Sequence, residues 1–164
     1  MIPIISIIGK SNSGKTTLIE KLIAELKSRG YRIASVKHNQ HGFDIDHEGK
    51  DSWRHRKAGT HTTVIYSKNE LALIRDMDHN ASLQEIRDMF INDVDIIIAE
   101  GHKYDNVPKI EIFRKEVYDS PISKEDRNLV AFISNENIDM GVPRFMLDDI
   151  AGISDLIEKK YLKN

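Results

Sequence analysis

Three features of the sequence predict an α/β fold in three α/β/α layers, with a mostly parallel sheet and one inserted β-hairpin. Residues 2–8, "IPIISII", form a nearly continuous run of apolar and β-branched residues, the pattern of a strand covered on both faces of a parallel sheet. After a short loop, Leu18, Ile19, Leu22, Ile23 and Leu26 recur at three- and four-residue spacing, which predicts a helix from Lys15 to Ser28 with Gly30 ending the pattern. "YRIASVKH" then reads as a second strand. A β-loop-α-β unit within the first 38 residues implies parallel strands joined by a right-handed crossover.

The stretch from Asn39 to Gly59, "NQHGFDIDHEGKDSWRHRKAG", is polar and lacks periodicity in its first half, so it reads as a functional loop closed by a short helix from about Lys50 to Ala58. "HTTVIYSKNELALIRD" reads as two strands joined at Lys68 to Glu70, a hairpin that departs from βα alternation. Leu83, Ile86, Arg87 and Phe90 predict a helix opened by Ser82, with Glu85 as its capping-box partner. "DVDIIIAEG" is a buried strand that stops at an acid, and "VPKIEIFRK" and "NLVAFIS" are further strands. "RFMLDDIAGISDLIEKKYLKN" predicts a short strand and one terminal helix whose lysines suit the negative end of the helix dipole.

The 164 residues suit one domain, with no repeat and no linker. A net charge of -2 and 30% charged residues give no general attraction to nucleic acid or to an anionic membrane. The absence of cysteine excludes disulfides, thiolate metal sites and a catalytic thiol, and fits a cytoplasmic location. No apolar run approaches the eighteen or so residues of a membrane span, and the apolar start reads as a strand, since no positive charge precedes it and no small-residue cleavage site follows.

"GKSNSGKT", Gly9 to Thr16, satisfies G-x-x-x-x-G-K-[ST] between a strand and a helix, the P-loop pattern. Gly9 and Gly14 permit backbone angles at which successive N–H groups, those of Lys10, Ser11, Asn12 and Ser13 among them, converge on phosphate oxygens. Lys15 supplies a mobile charge for the β and γ phosphates, and Thr16 a hydroxyl for Mg²⁺. By composition alone the pattern arises in roughly half a percent of chains this long. Lys10 resembles the extra signature lysine of dimeric P-loop ATPases, although those loops usually carry glycine where Ser11 and Asn12 stand.

A P-loop site needs a carboxylate behind the metal, at the carboxyl end of a neighbouring strand. Glu100 is that acid, with Gly101 after it. Asp95, at the start of the same strand, is about 17 Å away at ordinary strand rise and cannot serve. Five of the seven histidines, His38, His41, His47, His55 and His61, lie within 24 residues. Three readings of this region stay open. It is a switch loop in which Asp44 or Asp46 approaches Mg²⁺ or an attacking water and Lys50, Arg54, Arg56 or Lys57 faces anions; or His38, His41 and His47 bind a transition metal with an aspartate; or it is a solvated loop with Trp53 packed inward.

The P-loop, "VKH", "DIDHEGKDSWRHRKAG", "AEGHK" and "PKIEIFR" occur together in this order. The combination resembles the molybdopterin-guanine dinucleotide biosynthesis protein B family, over most of the chain and least from Val117 to Asn128. The resemblance implies a P-loop NTPase fold and a homodimer that binds GTP with Mg²⁺ and hydrolyses it slowly. It also implies work beside the guanylyltransferase that joins GMP to molybdopterin, with molybdopterin itself as a further candidate contact. By position, Gly9 to Thr17 would hold the phosphates, Glu100 would stand behind Mg²⁺, and Asp44, Asp46, Lys50, Asp51 and Arg56 would form the switch-like loop. Lys15 with Asp44 or Asp46 would then carry hydrolysis. Gly101, Lys103, Pro108 and Lys109 would follow the acid, with His102 where the family commonly has Phe.

The residues themselves do not name the base. The chain lacks N-K-x-D, and "FISNEN" offers Asn135 where a base-reading loop belongs. Two other functions use the same loop: a small-molecule kinase, and a non-hydrolysing module in which nucleotide only switches partner affinity.

Overall fold

The computed structural model describes residues 1–39, 42–43 and 45–163, which form two compact units, Met1–His38 with Ser82–Asn164, and Asn39–Ala81. In chain order the strands are β1 (Ile4–Ile8), β2 (Ile33–Lys37), β3 (Thr62–Tyr66), β4 (Leu71–Arg75), β5 (Ile96–Glu100), β6 (Lys109–Ile112), β7 (Leu129–Ile133) and β8 (Arg144–Phe145). The helices are α1 (Lys15–Ser28), α2 (Asp51–Lys57), α3 (Leu83–Phe90) and α4 (Ile150–Ile157). The first unit holds one sheet in the order β2-β5-β1-β6-β7-β8, parallel at every pairing.

β1 is central and buried along its whole length, as an uninterrupted apolar run demands. Side chains alternate across a strand, so Ile5 and Ile7 share a core cluster with Leu18, Leu22 and Leu26 of α1 and Ile153 and Ile157 of α4. Ile4 belongs instead to the cluster of Leu83 from α3 with Ile97 and Ala99 of β5. Helices therefore cover both faces of the sheet. β2 lies at an edge and is only partly buried.

Local signals mark the boundaries. α1 runs over the predicted residues, and α3 opens on the expected capping box: Ser82 Oγ accepts from the Glu85 amide at 3.2 Å, and Glu85 Oε2 accepts from the Ser82 amide at 2.9 Å. The terminal helix departs from expectation, since α4 gives way to a π-helical turn over Glu158–Leu162. Lys163 bonds Glu158 twice there, from its amide to the carbonyl at 2.8 Å and from its ammonium to the carboxylate at 3.1 Å. An i+5 step allows that double closure. Glu158 also receives Arg29 at 3.0 Å, and Arg29 reaches Asp155 at 2.6 Å, which ties the end of α1 to α4.

The second unit contains α2 and the predicted hairpin, β3 paired antiparallel with β4. Its turn closes with the Ser67 amide on the Glu70 carbonyl at 2.8 Å, and Ser67 Oγ accepts from the Glu70 amide at 3.2 Å. Among the described residues no helix is long and apolar enough to cross a membrane.

Leu22 is fully buried between α1 and the sheet, whereas Lys21 beside it is exposed. Leu22→Ala should lower unfolding free energy by about 2–5 kcal/mol in urea denaturation, and Lys21→Ala should change it by less than about 0.5 kcal/mol.

Candidate functional site

The loop between β1 and α1 is built by crowding. Gly9 has φ of 152°, and a Cβ there would lie 2.6 Å from the Ile112 carbonyl oxygen and 2.7 Å from Ser13 Oγ. Only glycine lets the chain pass β6 so closely. Gly14, at the N-cap of α1, has φ of 95°, and Asn12 takes φ of 63°, a left-handed conformation that Asn tolerates better than most residues. This is one of the two places where dimeric P-loop ATPases usually carry glycine. The Ser13 amide closes the turn on the Lys10 carbonyl at 3.2 Å, with Ser13 fully buried beneath. Ser11 and Thr17 are exposed on either side of it.

The loop also holds its own cation. Lys15 Nζ donates to the Gly9 carbonyl at 3.1 Å and to the Lys10 carbonyl at 2.9 Å, so the ammonium lies under the arch of the backbone. Burial lowers its pKa from the ordinary lysine value; Glu100 opposes that shift and Lys37 reinforces it.

Glu100 reaches the loop because of strand register. β5 lies between β1 and β2, with Glu100 opposite Ile7 on one side and Lys37 on the other. The Thr16 hydroxyl is 3.3 Å from each Glu100 carboxylate oxygen, and Lys37 Nζ is 3.6 Å from Oε2. Hydroxyl and carboxylate oxygens are the hard donors that Mg²⁺ prefers, so Thr16 and Glu100 fit the metal that such a site requires. Asp95 lies at the other end of β5, where it accepts from the Arg32 amide at 2.7 Å. Gly101, with φ of 100°, turns the chain away, and its carbonyl accepts from Ser6 Oγ at 2.9 Å.

His102 follows. Its Nδ1 lies 3.2 Å from Asp105 Oδ2, its Nε2 is buried without a partner, and its ring centroid is 5.4 Å from that of His38. Burial lowers the imidazole pKa, Asp105 acts against that fall, and His38 adds to it. A flat ring thus occupies the place where the family commonly has Phe, and it packs on an aromatic neighbour.

A second carboxylate beside the loop was not read from the sequence. Glu111 of β6, opposite Ile8, is fully buried. It accepts from the Ile122 amide at 2.8 Å, the Ser123 amide at 3.0 Å, the Ser123 hydroxyl, and Tyr118 Oη at 3.2 Å. Tyr118 in turn lies under the phosphate loop, with Lys10 Nζ 5.3 Å from its ring centroid. Burial and the nearby Glu111 raise the phenol pKa, so the hydroxyl keeps its proton. Lys109, equally buried, is neutralised by Asp126 at 2.7 Å. The available signal was the "KIEI" alternation, which puts two charged residues inside a strand buried along its whole length.

The other predicted residues are distributed more widely. Asn135 is exposed past the end of β7, and its Oδ1 lies 3.4 Å from the Leu147 amide. Asp46 belongs to the second unit, where Oδ1 accepts from Ser52 Oγ at 2.9 Å and from the His47 amide at 3.0 Å. Lys50 is the N-cap of α2 and Asp51 its first residue. Asp44 and His41 lie outside the described residues. Among the described residues no three His, Asp or Glu side chains cluster to hold a metal.

The family model described as molybdopterin guanine dinucleotide synthesis protein B matches residues 4–135, the span from β1 to the end of β7 and the loop after it. The chain belongs to the MobB family. It is 34% identical over 158 residues to the Haemophilus influenzae molybdopterin-guanine dinucleotide biosynthesis adapter protein, covering 96% of this chain and 88% of that one. The Escherichia coli adapter protein is also 34% identical, with 96% of this chain and 92% of the relative covered. A crystal structure of molybdopterin-guanine biosynthesis protein B superposes with a TM-score of 0.75 at 30% identity, over 95% of this chain and 97% of the other. The P-loop NTPase fold of the MobB family is therefore the fold of this chain.

Gly9→Ala tests the crowding. The new methyl must displace Ile112 or Ser13. Amide NMR signals should shift from Gly9 to Lys15 and along β6, while those of the β3–β4 hairpin stay in place.

Proposed function

We propose that this chain binds GTP with Mg²⁺ at the Gly9 to Thr17 loop, hydrolyses it slowly, and acts as a homodimeric adaptor to the guanylyltransferase step that joins GMP to molybdopterin. The observation that carries the reading is the convergence of Lys15, Thr16 and Glu100 on one loop at the carboxyl edge of the sheet. A triphosphate is recognised by charge and by backbone N–H groups at a helix N-terminus, and this loop offers both. Lys15 would exchange its two carbonyl partners for phosphate oxygens. Thr16 and Glu100 would hold Mg²⁺, which supplies charge neutralisation across the β and γ phosphates.

Guanine is favoured over adenine by the names of the relatives, all concerned with a guanine dinucleotide, and Asn135 beyond β7 is the residue proposed to read the base. The adaptor role rests on the same names.

Side-by-side calorimetric titrations of GTP and ATP with Mg²⁺ test this reading. GTP should bind at least about tenfold more tightly than ATP, and Lys15→Ala should weaken it by about tenfold or more, in keeping with loss of a charge-assisted contact. Equal affinities would remove the guanine assignment. Unchanged affinity in Lys15→Ala would remove the site. Phosphate should go to water, and transfer to an added acceptor would favour a kinase.

A further inference from the structure

We propose that Tyr118 is a positioning residue of the phosphate loop, whose hydroxyl holds the peptide between Gly9 and Lys10 in the form that receives a triphosphate. The role rests on the nucleotide reading above, but the residue lies outside the loop motif.

Tyr118 belongs to no strand or helix. It comes from the excursion between β6 and β7, where its amide and that of Val117 both close on the Arg114 carbonyl, at 3.2 Å and 3.0 Å. Tyr118 is 5% exposed, and its ring meets that of Phe113 edge-on with the centroids 4.8 Å apart. A phenylalanine would make that packing equally well. The partners of the hydroxyl, by contrast, belong to β6 and to the phosphate loop.

A phenol has one hydrogen to give and lone pairs with which to accept. The hydrogen faces the Ile112 carbonyl at 2.7 Å, with Glu111 Oε1 farther off at 3.2 Å. A backbone hydrogen bond from Lys10 reaches the phenol oxygen. Lys10 also lays its ammonium 5.3 Å from the centre of the ring. The Ile112 carbonyl is the group that a side chain at Gly9 would strike, 2.6 Å from the added Cβ. One hydroxyl therefore ties the loop to the strand that it passes.

The Gly9 carbonyl and the Lys10 amide share one planar trans peptide and point to opposite sides of it. With the amide directed to Tyr118, the carbonyl is directed away from it, to Lys15 Nζ at 3.1 Å. The Lys10 carbonyl receives Lys15 Nζ at 2.9 Å and the Ser13 amide at 3.2 Å. The orientation of these peptides decides where Lys15 rests and where the following amides point. The Lys10 amide is turned to Tyr118, which leaves the anion to the amides from Ser11 onward. When Lys15 leaves both carbonyls for phosphate oxygens, the phenol stays on the peptide behind it. A loop already held in shape loses less freedom on binding, so its affinity for the anion is higher.

Tyr118→Phe keeps the ring and removes the hydroxyl. Ser123→Ala removes a different donor from Glu111 and touches nothing in the loop, so it reports the effect of loosening the buried network alone. Both variants of the full chain should be titrated with GTP and Mg²⁺ well below their thermal midpoints. Tyr118→Phe should weaken GTP about tenfold, whereas Ser123→Ala should stay within about twofold of the unmodified chain even if its midpoint falls. Hydrogen exchange of the unmodified, nucleotide-free chain needs no variant: the Lys10 amide should exchange more slowly than the amides of Ser11 and Asn12, which are exposed residues. The proposal is overturned if Tyr118→Phe keeps full affinity, if Ser123→Ala weakens GTP as much as Tyr118→Phe does, or if the Lys10 amide exchanges as fast as its two neighbours. An unmodified chain that bound no GTP would overturn the nucleotide reading as well, whereas tight binding that Tyr118→Phe leaves intact would overturn the role of Tyr118 alone.

Discussion

Parallel pairing of β1 with β5 on one side and β6 on the other is the constraint on which the rest of the first unit depends. That register sets Glu100 opposite Ile7 and Glu111 opposite Ile8, so the last two residues of β1 stand between two carboxylates just before the loop begins. The two acids have different work because their surroundings differ. Glu100 stays partly open and meets the Thr16 hydroxyl and Lys37, whereas Glu111 is sealed inside and surrounded by four donors. A buried carboxylate without partners costs several kcal/mol, so those donors are what make Glu111 tolerable. They also fix the segment from Tyr118 to Ser123 against β6, with the Tyr118 ring 5.3 Å from Lys10 Nζ.

The same register explains the electrostatics. Lys15 would lose its charge more readily than a free lysine because it is partly desolvated, and Lys37 pushes in the same direction. Glu100 pushes back. Lys15 and Lys37 thus share one acid at the carboxyl edge of β5, leaving more positive than negative charge where the loop amides of α1's first turn point. An anion is the natural complement, and the carboxylate explains why that anion would come with a divalent cation.

Much of this was legible in the sequence, for identifiable reasons. β1 and α1 follow from an apolar run and a strict three-and-four spacing, α3 from its capping box, and Glu100 from an acid ending an apolar strand. These signals are local, and local signals survive without knowledge of the fold. The role of Glu111 was not legible, because its donors come from residues 118–123, whose sequence has no pattern that ties it to β6. The π-helical turn depends on Lys163 returning to Glu158, a pairing that helical periodicity does not encode. His102 stands where the family commonly has Phe, and its ring packs on that of His38, a contact that no local pattern announces. Beside the histidine-rich region, read three ways from its composition, lies a pocket lined among the described residues by Asp46, Trp53, Arg56, Lys57 and Asp76 rather than by the histidines.

The central claim is that the loop between β1 and α1, with Glu100, is where a triphosphate and its metal are held. A crystal structure of the chain grown with a non-hydrolysable GTP analogue and Mg²⁺ tests it most directly. The account predicts the β and γ phosphates within hydrogen-bond distance of the loop amides and Lys15, the metal on the Thr16 hydroxyl, and Glu100 behind it. An analogue bound elsewhere, with Lys15 still on the Gly9 and Lys10 carbonyls, would contradict it.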